Sequence, residues 1–112
     1  MKKGLLENTK EVFAECLSVM EKKNNDYSGK ADVNGLRNFE ISADVANISI
    51  PKGILVRLMD KMTRIGNLLE HESKVKDEAI EDTVLDAINY CAILHFALKQ
   101  EKQPAGEPAK NN

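Results

Sequence analysis

Asp82, Asp86 and Asn89 recur at intervals of four and three residues, which places them on one side of an α-helix. Glu78 joins the same side. Two carboxylates one turn apart repel unless they share a cation. An earlier segment carries Arg57, Asp60, Arg64 and Asn67 at a matching period, with Lys61 at its boundary. Carboxylates hold Mg²⁺ through their oxygens and through water. Arg and Lys hold phosphate oxygens. If the two stripes face each other, the mixture suits a nucleoside phosphate with its metal. The same residues also make a structural ion-pair network, Arg57 and Arg64 against Asp82 and Asp86. Spacing alone leaves both open.

Other candidate groups carry less. The segment Lys22-Lys23-Asn24-Asn25-Asp26-Tyr27 has the chemistry of a turn. Glu11 and Glu15 read as solvated, and Met59 and Met62 as core filling. His71 and His95 have no partner at ligand spacing. There is no Walker A loop, no GxGxxG, no CxxC and no Ser/His/Asp order, so nothing points to nucleophilic catalysis.

These residues must be positioned by helices. Residues 3–23 place Leu5, Leu6, Val12, Phe13, Cys16, Leu17 and Met20 on one side. Residues 51–70 do the same with Ile54, Leu55, Leu58, Met62, Ile65 and Leu69, behind Ser49 and Pro51 as start signals. A third helix is expected over 78–99, with Asp77 as N-cap and Glu78 and Glu81 favouring its N-terminal dipole. On it Ile80, Val84, Ala87, Ile88, Cys91, Leu94 and Leu98 share a face. Leu85, Ile93 and Phe96 interrupt the polar side, so the helix is expected to be covered on both faces, with Asp82, Asp86 and Asn89 in a groove or interface. Residues 36–47 allow a short helix. The expected fold is all-α, a bundle of three long helices and one short one.

Composition sets the limits. The 112 residues hold 16 Lys+Arg and 18 Asp+Glu, a net charge of −2. That balance argues against broad nucleic-acid binding, which needs a basic face. No apolar run reaches the roughly 20 residues of a membrane span, and the N-terminus has no signal-peptide core. Cys16 and Cys91 form no disulfide framework and read as buried thiols of a reducing, cytoplasmic setting. With three Phe, two Tyr and no Trp, the monomer core is thin, so a homo-oligomer is expected. Residues 1–98 form one domain. Residues 99–112, polar and carrying two Pro, form a disordered tail.

Three stretches then combine. They are Lys23-Asn24-Asn25-Asp26-Tyr27, the 53–68 segment with Arg57, Asp60, Lys61, Arg64, Asn67 and Leu68, and the 78–90 segment with Glu81, Asp82, Thr83, Asp86, Asn89 and Tyr90. Together they resemble the patterns K-x-x-D-Y, R-x-x-D-K-x-x-R-x-x-N-L and E-D-T-x-x-D-x-x-N-Y of the bacterial and phage family called nucleotide modification associated domain one. The resemblance covers about residues 5–98. It implies a relation to the all-α nucleoside triphosphate pyrophosphatases of MazG and dimeric dUTPase type, which are oligomeric Mg²⁺ enzymes. Carried over residue by residue, it makes Asp60, Asp82 and Asp86, with Glu81, the metal carboxylates. Arg57, Lys61, Arg64 and Lys23 would hold phosphates, and Asp26, Tyr27 and Asn89 would line the nucleotide site. The chain departs in one respect: the 51–70 helix has one internal acid, Asp60, in place of an E-x-x-E pair. The expectation is therefore a nucleotide-binding domain acting as a Mg²⁺-dependent pyrophosphohydrolase. The alternatives are a phage protein that sequesters nucleotides of host defence signalling without hydrolysis, or a structural oligomerisation module.

Overall fold

The computed structural model describes residues 2–27, 36–71 and 79–102, with the backbone alone for 24–27. The described residues are helical, without strands: α1 (Leu5–Tyr27), α2 (Arg37–Ala46), α3 (Ile50–Glu70) and α4 (Ile80–Glu101). Three long helices and one short one were expected, and their boundaries shift for local reasons. α1 runs through the residues expected to turn, as far as Tyr27. α4 starts later than expected, with Ala79 as its N-cap and no side-chain cap; Asp77, expected as the cap, lies outside the described residues. It also extends into the expected tail, to Glu101. Residues 103–112 lie outside the described residues.

Two helix ends obey simple rules. The Ser49 hydroxyl accepts a hydrogen bond from Lys52 N–H at 3.2 Å, and Pro51 stands in the first turn where its missing N–H costs nothing. α2 stops at Asn47, which has φ 56° and ψ 46°. This left-handed residue turns its N–H back onto the carbonyls of Ala43 and Asp44.

α3 and α4 form the main pair and run antiparallel. Ile54, near the start of α3, clusters with Ala97, near the end of α4, while Lys61 reaches Asp86. α3 turns Ile54, Leu58, Lys61, Ile65 and Leu68 inward at alternating four- and three-residue spacing. α4 answers with Thr83, Ala87, Tyr90, Leu94 and Ala97 at the same spacing, and Thr83, Ala87 and Ala97 are buried. Small side chains at 87 and 97 bring the helices together.

α2 closes the α3 end. Leu36 is buried with Ile54 and Ala97, and Phe39, Ile50, Tyr90, Ile93 and Leu94 pack around them. Phe39 meets Tyr90 edge to face at 6.2 Å. Among the described helices α1 packs on α4 alone. Among the described residues no helix is long and apolar enough to cross a membrane.

The core is thin, as composition implied. Ile54 is the one large side chain among the described residues that is wholly buried, at 0% exposure. Cys16 is buried, but Cys91 is exposed, because it sits off the α4 seam that faces α3. Met59 and Met62, expected as core, are exposed for the same rotational reason on α3.

Candidate functional site

Asp86 is the polar hub of the molecule. It sits half-buried on α4, one residue before Ala87 in the seam against α3. That position turns it toward the angle between α3 and α1. Lys61 of α3 brings its Nζ to 3.4 Å from Asp86 Oδ2. Lys23 of α1 brings its Nζ to 3.8 Å from Oδ1. These are ion pairs at contact rather than tight hydrogen bonds. Three helices thus place two cations on one carboxylate, a local surplus of one positive charge.

Asn89 lies one turn further along α4. Its Nδ2 donates to the Cys16 carbonyl at 3.1 Å. The Cys16 thiol donates to the Leu85 carbonyl at 3.7 Å. These two contacts and the Lys23–Asp86 pair fasten α1 to α4. Burial pushes the Cys16 thiol above its ordinary pKa, and the negative charges of Glu15 and Asp86 add to the effect.

The expected site residues therefore fall into three groups. Lys23, Lys61 and Asp86 come together. Asn89 stands beside them, with an amide that holds α1. Arg57, Asp60 and Arg64 are exposed, as is Asn67. The 57-60-64-67 stripe does not face α4; the apolar seam 54-58-65-68, rotated from it, takes that place and carries Lys61 with it. Arg57 and Arg64 flank Lys61 one turn on either side, which makes a cationic edge along α3. Glu81 and Asp82 are exposed in the first turn of α4. Asp26 and Tyr27 belong to the last turn of α1, and their side chains lie outside the described residues.

Metal fit follows from this placement. Among the described residues, no three His, Cys, Asp or Glu side chains group to hold a metal ion. Asp86 meets two ammonium groups instead, and Asp60 and Asp82 are exposed on separate helices.

One part of the site was invisible in the residue pattern. The Cys16 carbonyl is a backbone acceptor, and no side-chain spacing announces it. Its thiol carried only the mild signal of a polarisable group on the apolar side of α1.

No family model matches the chain, and no curated protein or solved structure matches it either.

Proposed function

We propose that the chain is a nucleotide-binding all-α domain that holds its ligand by the phosphates. The observation that carries this is the convergence of Lys23 and Lys61, from separate helices, on Asp86 at 3.8 and 3.4 Å. Asp86 keeps the two ammonium groups in register. A phosphate brings more charge than one carboxylate and engages both lysines together with the Arg57 and Arg64 edge. The resemblance to nucleotide-handling domains supplies the nucleoside part.

The geometry favours binding without hydrolysis, because Asp86 is engaged by cations. The alternative is Mg²⁺-dependent pyrophosphohydrolysis, with Asp60, Glu81, Asp82 and Asp86 as ligands. It is favoured by the exposure of Glu81 and of Asp82, the latter one turn from Asp86. In both versions the domain acts as a homo-oligomer, supported by the fifteen large apolar side chains that stand exposed among the described residues.

Calorimetry with nucleoside mono-, di- and triphosphates tests the reading. Binding is expected to survive EDTA. Lys61→Ala is expected to weaken it by roughly tenfold or more, the worth of a charge-assisted contact. Asp86→Asn is expected to leave binding intact or tighten it. Binding that needs Mg²⁺, with turnover abolished by Asp86→Asn, selects the hydrolytic version. No heat with any nucleotide overturns both.

A further inference from the structure

α3 carries a second seam. Leu55, Met59, Met62, Gly66 and Leu69 follow the same four-three spacing as its inner seam, and all are exposed. The outer seam is rotated by about 100° from the inner one. Neither α4 nor α2 covers it. α4 lies on the inner seam, and α2 lies near Gly53, where an added Cβ would stand 3.8 Å from Ala43 and 3.9 Å from Ile48. Five such positions in heptad register, on a helix already folded, describe a helix–helix seam.

The seam is self-complementary. Its centre is Met62. Running antiparallel against a copy of itself, it sets Leu55 against Leu69, Met59 against Gly66, and Met62 against its own counterpart. Gly66 has nothing within 4 Å of where a Cβ would stand, so it offers a recess to the methionine. Charge agrees. Lys52 and Glu70 are both exposed and lie about five full turns apart on the same flank of the seam. In an antiparallel pair each Lys52 comes close to the other chain's Glu70, once at each end.

α4 supplies an independent check. Because Lys61 meets Asp86 and Ile54 clusters with Ala97, Met62 stands level with about residue 87 of α4. The exposed apolar positions Val84 and Cys91 lie symmetrically about that level. They lie on the flank of α4 that turns toward the same axis, since the outer seam of α3 and the 84-91-98 stripe both stand to one side of the α3–α4 plane. A twofold axis through Met62 therefore brings both exposed stripes together.

From this juxtaposition we propose that a second copy of this chain packs on the outer seam. It forms an antiparallel four-helix bundle of α3 and α4 from each subunit, centred on Met62. The proposal rests on the homo-oligomer part of the function stated above and assigns its face; it does not depend on nucleotide binding. Lys23 and Lys61 meet Asp86 on the side of α4 away from this axis, so both sites stay open in the dimer.

The full chain is expected to sediment at twice its 12.5 kDa mass. Met62→Lys is expected to give a monomer with its helical circular dichroism kept, since Met62 is already about half exposed. Lys52→Glu is expected to raise the dimer dissociation constant roughly five- to tenfold, and Lys52→Glu with Glu70→Lys to restore it, as two rim ion pairs are exchanged. In a Cys91→Ser background, Met62→Cys is expected to cross-link on mild oxidation, and Val56→Cys, about 100° round the helix, is not. A wild-type monomer at all concentrations overturns self-association. A dimer that survives Met62→Lys, or cross-links through Val56→Cys and not Met62→Cys, overturns this face. Nucleotide calorimetry on the Met62→Lys variant keeps the two questions apart, because loss of the dimer is expected to leave phosphate binding in place.

Discussion

The two seams of α3 are nearly the same pattern with different fates. Ile54, Leu58, Ile65 and Leu68 turn inward, while Leu55, Met59, Met62 and Leu69 turn outward. Both are apolar at heptad spacing, one residue apart. The difference is what the rest of the chain offers. α4 presents the small Ala97, which admits the branched Ile54. The outer seam uses unbranched methionines and a glycine, which adapt to a partner not held in the same chain. Apolar period thus identifies seams, and the complementary helix decides which one closes first.

The largest expected effect separates the seams. Ile54→Ala removes the one large side chain among the described residues that is wholly buried and is expected to cost about 3 kcal/mol. Leu69→Ala, 73% exposed, is expected to cost under about 0.5 kcal/mol in dilute solution. Urea unfolding of both variants measures the contrast. Equal costs would mean that the outer seam is as closed as the inner one.

The next effect concerns α1. Its attachment to α4 includes the Asn89–Cys16 hydrogen bond. Asn89→Ala leaves the Cys16 carbonyl with its helical partner only, and is expected to cost about 1 kcal/mol. Hydrogen exchange is expected to show faster amides in α1 and unchanged ones in α3. Uniform acceleration would mean that α1 and the α3–α4 pair unfold as one unit.

A smaller effect compares two helix starts. Ser49 caps α3, whereas Ala79 leaves α4 without a side-chain cap. Ala79 has φ −90° and ψ 138°, the extended backbone that an N-cap residue adopts. Ser49→Ala is expected to lose about 1 kcal/mol and Ala79→Ser to gain about half of that. Thermal midpoints moving in opposite directions would bear this out. A neutral Ala79→Ser would show that the start of α4 is satisfied otherwise.

How much of this was legible follows from the same physics. The helices were visible because amphipathic period survives any tertiary context. So was the cap at Ser49, which needs only local geometry. The pairing of Lys61 with Asp86 was half visible. Both residues stood out as charges beside apolar stripes, but Lys61 faces α4 because it lies within the inner seam, while Arg57 and Arg64 fall one residue off it. The wrong assignment of Met59 and Met62 to the core has the same origin. A stripe about 100° wide cannot show which edge faces inward. The end of α1 was missed because Asn24, Asn25 and Asp26 carry turn propensity, and the helix runs through them regardless.

The smallest effect lies in the two thiols. Cys16 is buried and its pKa is raised, first by burial and then by Glu15 and Asp86, while Cys91 is exposed. A reagent such as iodoacetamide attacks the thiolate. Cys91 is therefore expected to label quickly and Cys16 only when the α1–α4 contact opens. The sign of the pH effect follows. The folded state keeps the Cys16 proton while the unfolded chain gives it up near the ordinary thiol value of 9.0, so the unfolded state binds fewer protons above that pH. Stability is then whole below pH 9, falls as the pH rises past it, and levels off beyond the raised folded value. Urea midpoints at neutral and alkaline pH, taken as the difference between wild type and Cys16→Ala, isolate this from lysine and tyrosine titration. The alkaline loss is expected to shrink in Cys16→Ala and to persist in Cys91→Ser. A loss that persists in Cys16→Ala would place the titrating group elsewhere.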